Sequence, residues 1–204
     1  MGKRIEELQL DRGQHVWKIS DYIRRRHDDK WDEWKVANSD EQWRDKNLLV
    51  DMILENDPTY DCVWILGVWF GHIIIPRIIN QVNKILVFDY DTIPVRIAMS
   101  KFPGKDKIIF REEDVNFELM NGKANRYLEH APDLVINTAC EHMYFMHAFK
   151  IDCMPLLALQ GNAKEKLSVI NPINNVKHLA DQAGLSEIVD YQSDNICHSV
   201  LGYS

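Results

Sequence analysis

The sequence predicts an α/β protein in which a mostly parallel seven-stranded sheet, with an antiparallel last strand, is flanked by helices and preceded by a helical extension. Short apolar runs of strand length recur, and several stop at a glycine, an acid or an amide, as buried parallel strands do. Helix-compatible segments separate them, which parallel crossovers require. The last two runs, Leu185 to Gln192 and Ile196 to Tyr203, are joined only by Ser193-Asp194-Asn195, a turn composition. A hairpin that tight cannot be parallel throughout, so one strand opposes the rest. Residues 1–60 differ in character and are expected to form the helical extension or lid, with 61–204 as the sheet domain.

The order strand, glycine turn, helix, strand, acid is clearest between Cys62 and Asp91. An apolar run from Cys62 to Leu66 breaks at Gly67 and Gly71; a mostly apolar segment follows; a second run, Ile85 to Phe88, is closed by Asp89. Glycines at a strand end let backbone approach a ligand where a Cβ would clash. The following helix aims free N–H groups at the same spot, and an acid ending the next strand accepts hydrogen bonds from ribose hydroxyls. Gly67 to Asp89 is 22 positions, near the ~20 of such units. GVWFG is not the GxGxxG dinucleotide fingerprint, and Val68, Trp69 and Phe70 put bulk where a pyrophosphate would lie. The pattern favours an adenosine ligand without phosphates, such as S-adenosylmethionine, over a nicotinamide dinucleotide. The plainer alternative is a buried strand–helix–strand unit with structural glycines.

At 204 residues the chain suits one domain with an extension, and 46% hydrophobic with 27% charged residues is an ordinary globular composition. A net charge of -7 disfavours broad nucleic-acid binding and leaves only a local basic patch open to it. Cys62, Cys140, Cys153 and Cys197 are widely spaced with no CxxC, so no metal site or disulfide framework is expected and a reducing compartment is the simpler reading. The start, MGKRIEELQLDRG, has no apolar signal region. Residues 63–79 are interrupted by Gly67, Gly71, His72, Pro76 and Arg77, short of the ~18 apolar residues of a membrane span. A cytoplasmic protein with no membrane partner is expected.

Along the extension, Trp17, Trp31, Trp34 and Trp43 are scattered among charges, and Ser39 to Gln42 matches a capping box before Trp43, Val50, Ile53 and Leu54 recur at helical spacing. The run Arg24-Arg25-Arg26-His27 reads as a solvated helix face, with an anionic substrate or RNA as its functional alternative. Thr92 to Pro103 reads as a helix, Lys107 to Phe110 as a third strand, and Arg111-Glu112-Glu113-Asp114 as an acidic loop at the edge where such sheets bind ligands. Asp114 is either an acceptor for an adenine amino group or one of three solvated acids.

Phe117 to His130 reads as a helix and Asp133 to Asn137 as a fourth strand. Thr138, Ala139, Cys140, Glu141, His142, Met143 and Tyr144 then gather polar and acid–base groups directly after its end, where chemistry is found in this architecture. Cys140 has the alternative of a small buried residue, and Glu141 that of a first-turn helix acid. His142 and His147 are five apart, unlike a helical metal pair. Met154 to Gln160 reads as a fifth strand ending in Gln160-Gly161-Asn162, and Asn171 to Ala183 as a helix with Pro172 in its first turn and Gly184 after its end.

Five strand–helix alternations and a closing hairpin resemble the class I S-adenosylmethionine-dependent methyltransferases, over about residues 61–204. More narrowly, Ile65 to Gly71 and Asn137 to His142 resemble methyltransferase-like proteins of tailed phages, with ILGxWxG and NTxCEH motifs. The resemblance implies a Rossmann-like sheet and S-adenosylmethionine as cofactor. It implies a cofactor loop at Gly67, Trp69 and Gly71, a ribose acid at Asp89 beside Tyr90, and an adenine edge at Asp114 and Val115. Its motif after the fourth strand makes Asn137, Glu141 and His142 the catalytic candidates. The chain departs from the family in lacking the first-strand acid, the middle glycine of the loop and a Pro-Pro-aromatic motif after Asn137, so no substrate class carries over. The expected function is methyl transfer to a small molecule, a modified nucleotide or a nucleic acid, in the host cytoplasm if the chain is phage-encoded. The rival is a non-catalytic nucleotide-binding protein or interaction module using the tryptophan-rich N-terminus.

Overall fold

The computed structural model describes residues 16–100, 104–115, 129–143, 146, 153–162, 169–194 and 196–204. The expected helix end at Phe102-Pro103, most of the helix expected over Phe117 to His130, Tyr144, His147 and Asn195 lie outside those residues. Helix α1 covers residues 16–26, α2 Trp31–Ala37, α3 Asp40–Asn56, α4 Ile74–Ile78, α5 Ile93–Met99 and α6 Val176–Ala183. The strands are β1 Tyr60–Leu66, β2 Val82–Asp89, β3 Ile108–Glu112, β4 Leu134–Asn137, β5 Leu156–Asn162, β6 Glu187–Ser193 and β7 Cys197–Tyr203.

They form one seven-stranded sheet in the order β3-β2-β1-β4-β5-β7-β6. Strands β1 to β5 are mutually parallel, and β7 lies antiparallel between β5 and β6, the one opposed strand that the tight hairpin demands. Asp194 makes that turn by accepting the N–H groups of Ile196 and Cys197, both at 2.7 Å.

Side chains alternate across a strand, and the core divides accordingly. Val63, Ile65, Val87 and Ile136 pack on one face with Leu49, Val50 and Ile53 of α3 and the buried residues of α4 and α5. Trp64, Leu66, Phe88 and Val135 pack on the other with Leu179 and Ala183 of α6. The extension belongs to the first cluster: Trp34 is 1% exposed, meets Phe70 edge-on at 5.2 Å, and donates its indole N–H to Ser20 Oγ at 2.8 Å. Arg24, Arg25 and Arg26 are exposed; Arg24 lies over the Trp31 ring and Arg25 pairs with Asp21.

Ser39 caps α3 as the sequence predicts, accepting the Gln42 N–H. The last crossover helix departs from expectation, because α6 begins at Val176 and not near Pro172. Asn175, in extended backbone, accepts the His178 N–H and caps the helix there. Ile173, fully buried, donates its N–H to Asn162 O, so residues 171–174 are held against β5 before the helix starts. Gly184, at φ 67°, ends it as expected.

Removing the Trp34 side chain empties a fully buried position, a change that costs ~3–5 kcal/mol for an aromatic. Trp34→Ala is expected to lower unfolding stability by about that amount in urea titration, with one cooperative transition. A loss below ~1 kcal/mol would mean that the extension does not share the core of the sheet.

Candidate functional site

Strands β4, β1, β2 and β3 end on one edge of the sheet, where a cleft of about 630 Å³ opens, within the ~300–1,000 Å³ of small-molecule sites. Gly67, directly after β1, has φ 62° and donates its N–H to Phe88 O at 2.9 Å. A Cβ there would lie 2.6 Å from Met143 Cε and 3.1 Å from Ala139 Cβ. Glycine is what lets the turn after β1 meet the turn after β4.

Trp69, at φ 52°, is the one non-glycine residue with positive φ among the described residues. Its neighbours Val68 and Phe70 are buried in the core, and Trp69 alone of the three lines the cleft. Such a conformation costs on the order of 1–3 kcal/mol for a side-chain-bearing residue, and Asp89 offsets it. Asp89 Oδ2 accepts the Trp69 N–H and Oδ1 the Asp91 N–H, each at 3.1 Å. Burial pushes the Asp89 pKa up, against these backbone donors. A carboxylate offers about four acceptor directions, so Asp89, which lines the cleft, keeps capacity for ligand hydroxyls. Tyr90, 81% exposed, stands at the rim, and Asp114 and the buried Val115 line the wall after β3.

Two of the sequence-predicted residues are not brought to the cleft. Gly71 is enclosed by Ile75, Val68 and Val95, so its glycine serves the loop's packing. Asn137 is fully buried: its Oδ1 accepts the Ala139 N–H at 2.9 Å, and its amide N–H groups reach Met143 Sδ and Met146 Sδ, both at 3.3 Å. It braces the turn that carries Glu141. Cys140 is buried too, and burial pushes its thiol far above the ordinary range, which makes it an inert residue of the core.

Glu141 and His142 both line the cleft, in a 3-10 turn spanning Cys140–His142. Glu141 is 5% exposed; its backbone carbonyl accepts the Ile170 and Asn171 N–H groups, and Oε1 accepts from the Asn162 amide. Oε2 has no hydrogen-bond partner and lies 3.3 Å from where a Cβ on Gly161 would be. Burial pushes the Glu141 pKa up, opposed by nearby donors, His142 and Lys46. His142 is more open, its Nε2 3.8 Å from Glu141 Oε1.

The extension supplies residues that the reading of motifs missed. Lys30, Glu33, Gln42 and Lys46 line the same cleft. Lys30 Nζ donates to Glu33 at 3.1 Å and to Asp91 at 3.3 Å, fastening α2 to the Asp89 end. Lys46 is half-buried, and burial lowers its pKa to about 8, with the charges of Glu141, Cys197 and Asp45 opposing. The signal was present: Lys46 falls three residues after Trp43 and four before Val50, on the apolar stripe of α3, where a lysine needs a reason.

No protein-family model matches this chain, and no curated protein sequence does. Solved structures do. An O-methyltransferase family protein from Burkholderia thailandensis superposes with a TM-score of 0.58 at 14% identity, covering 97% of this chain and 69% of the other. The N-methyltransferase NodS from Bradyrhizobium japonicum WM9, in complex with S-adenosyl-L-homocysteine, gives 0.60 at 12% identity, over 93% and 98%. TehB from Haemophilus influenzae gives 0.55 at 11%, over 76% and 61%. At these identities the likeness is one of fold, the Rossmann-like fold of class I methyltransferases. Among the described residues no helix is long and apolar enough to cross a membrane.

A buried acid with a raised pKa binds its proton more tightly when folded than when unfolded. Its stabilisation is therefore complete below the unfolded carboxylate range, about pH 4, and is lost as pH rises through the folded value. Glu141→Gln removes the charge while keeping an acceptor for Asn162. Its melting temperature is expected to exceed that of the parent at about pH 8, with the gap shrinking toward about pH 4; a constant gap would show that Glu141 does not titrate differently in the folded state.

Proposed function

We propose that this chain is an S-adenosylmethionine-dependent methyltransferase of cytoplasmic location, with the cofactor over Gly67, Trp69, Asp89, Tyr90, Asp114 and Val115 and the acceptor against Glu141 and His142. The observation that carries this reading is the distribution of groups around one cleft. Gly67, Asp89 and Asp114 follow three adjacent strands on one side, and an acid–base pair follows β4 on the other. The spare acceptor capacity of Asp89 suits a ribose diol, and Gly67 brings backbone to the cleft surface. When bound, the cofactor supplies a methyl group already activated on a sulfonium, so the protein's task is to orient the nucleophile in line and exclude water. Glu141, lining the cleft, accepts the acceptor's proton, and His142 passes it toward solvent. Asn137 acts as a positioning residue by holding the turn beneath them. Within the 1–60 extension, the segment carrying Lys30 and Glu33 serves as the lid, latched through Lys30 and Asp91. The motifs ILGVWFG and NTACEH favour a phage-type member of the superfamily. The acidic net charge of -7 favours a small acceptor over nucleic acid.

Charge-assisted hydrogen bonds to ribose hydroxyls are worth ~1.5–3 kcal/mol. Asp89→Ala is therefore expected to weaken S-adenosylmethionine by roughly ten- to a hundred-fold in calorimetry, while the parent chain leaves NAD unbound. Equal affinity of parent and variant would remove Asp89 from the cofactor site.

Glu141→Gln and His142→Gln separate enzyme from binder. Each is expected to leave donor affinity nearly unchanged and to lower methyl transfer by ~10²–10⁴-fold for loss of acid–base catalysis. A chain that binds the donor and shows no transfer with any cell extract would be the non-catalytic binding protein instead.

A further inference from the structure

Lys46 and Glu141 come from segments 95 residues apart in sequence, yet both line the acceptor side of the cleft, with Gln42 one helical turn before Lys46. They are near enough for each charge to bear on the other. No hydrogen bond or ion pair joins them among the described residues: Glu141 Oε1 accepts the Asn162 amide, and Oε2 is buried beside Gly161. Among the described residues Lys46 makes no ion pair. The cleft thus presents an ammonium, which only donates, beside a carboxylate oxygen, which only accepts.

We propose that the methyl acceptor is a hydroxyl, held between Lys46 and Glu141, and that Lys46 is a catalytic residue of an O-methyl transfer. This rests on the methyltransferase reading above and names its substrate class. A hydroxyl oxygen has two lone pairs and one proton. One lone pair accepts from Lys46, the proton points at the Glu141 carboxylate, and the second lone pair remains for attack. A neutral amine has a single lone pair, and a donor ammonium there would occupy the electrons needed for attack. A protonated amine would be repelled by the same charge. A thiol is a weak donor and acceptor and gains little from either group.

The balance closes with no further reactant. The O–H bond breaks and its proton passes to the Glu141 carboxylate. The oxygen forms a bond to the methyl carbon as the carbon–sulfur bond breaks, and that electron pair stays on sulfur, leaving neutral S-adenosylhomocysteine. Lys46, protonated at neutral pH with its pKa of about 8, stabilises the negative charge that develops on oxygen as the proton leaves. The similar folds do not choose between acceptors, since they include an O-methyltransferase family protein and an N-methyltransferase.

The test uses S-adenosylmethionine carrying carbon-13 in its methyl group, the full chain, and an extract of cellular small molecules and macromolecules, with the carbon chemical shift reporting the atom that receives the methyl. Donor affinity is measured beside it by calorimetry for the parent, Lys46→Met and Lys46→Arg. The expected result is a methoxyl resonance in the parent, a loss of ~10²-fold or more in its rate of formation in Lys46→Met, partial recovery in Lys46→Arg, and the same donor affinity in all three. An N-methyl or S-methyl resonance overturns the hydroxyl assignment and leaves the methyltransferase reading standing. Donor binding without any transfer overturns it as well, as does a Lys46→Met protein that loses donor affinity. Failure of the parent to bind the donor overturns the underlying reading itself.

Discussion

The carboxylate of Asp89 is the constraint on which the cleft depends. It stands at the end of a central strand and accepts the N–H of Trp69 from one loop and of Asp91 from its own. The first bond holds a tryptophan in left-handed backbone, which turns its indole out of the core and into the cleft. The second presents Asp91 to Lys30 and so ties the extension to the sheet edge. An uncharged residue at 89 would leave two backbone donors short of a charged acceptor, and each such bond to a charged group is worth ~1.5–3 kcal/mol. Asp89 also lines the cleft, so the group that shapes the loop belongs to the cleft wall as well. Its raised pKa marks the desolvation that this double use entails.

Much of the fold was legible because parity and punctuation are local. Alternation along β1 sorts Val63 and Ile65 from Trp64 and Leu66 without reference to any distant residue. Asp194 makes its hairpin with its own neighbours. The start of α6 was misread because Pro172 is a good helix starter in isolation, whereas Asn175 is a better cap and Ile173 is claimed by the core. Short-range signals compete there, and tertiary contact decides between them.

The lining of the cleft was legible where it follows strand ends and opaque where it does not. Glycine and acid after a strand announce themselves, hence Gly67, Asp89, Asp114 and Glu141. Asn137 misled because it ends a strand too, yet it has the parity of Val135 and therefore points into the second core cluster, where Met143 and Met146 receive it. Lys46 was missed for the opposite reason. Its place on the apolar stripe of α3 is visible in the sequence, but that the stripe brings it to this cleft is decided only when α3 is laid across the sheet.

Strand β5 sets how α3 and the Glu141 turn meet. Gln160 and Asn162 are alternate residues of that strand and project from the same face. The Gln160 amide donates to the backbone carbonyl of Asp45 at 2.8 Å and to Ser199 Oγ at 2.9 Å, which pins α3 one residue before Lys46. The Asn162 amide donates to Glu141 Oε1. Two residues of strand advance about 6.6 Å, so α3 and the Glu141 turn are fixed at separate points along β5. A direct Lys46–Glu141 ion pair would have satisfied both charges and closed the cleft. Tied to separate points on β5, the two groups instead line one cleft without pairing, and Glu141 keeps a buried oxygen unsatisfied. A buried carboxylate oxygen without a partner costs stability, which is why burial raises the Glu141 pKa.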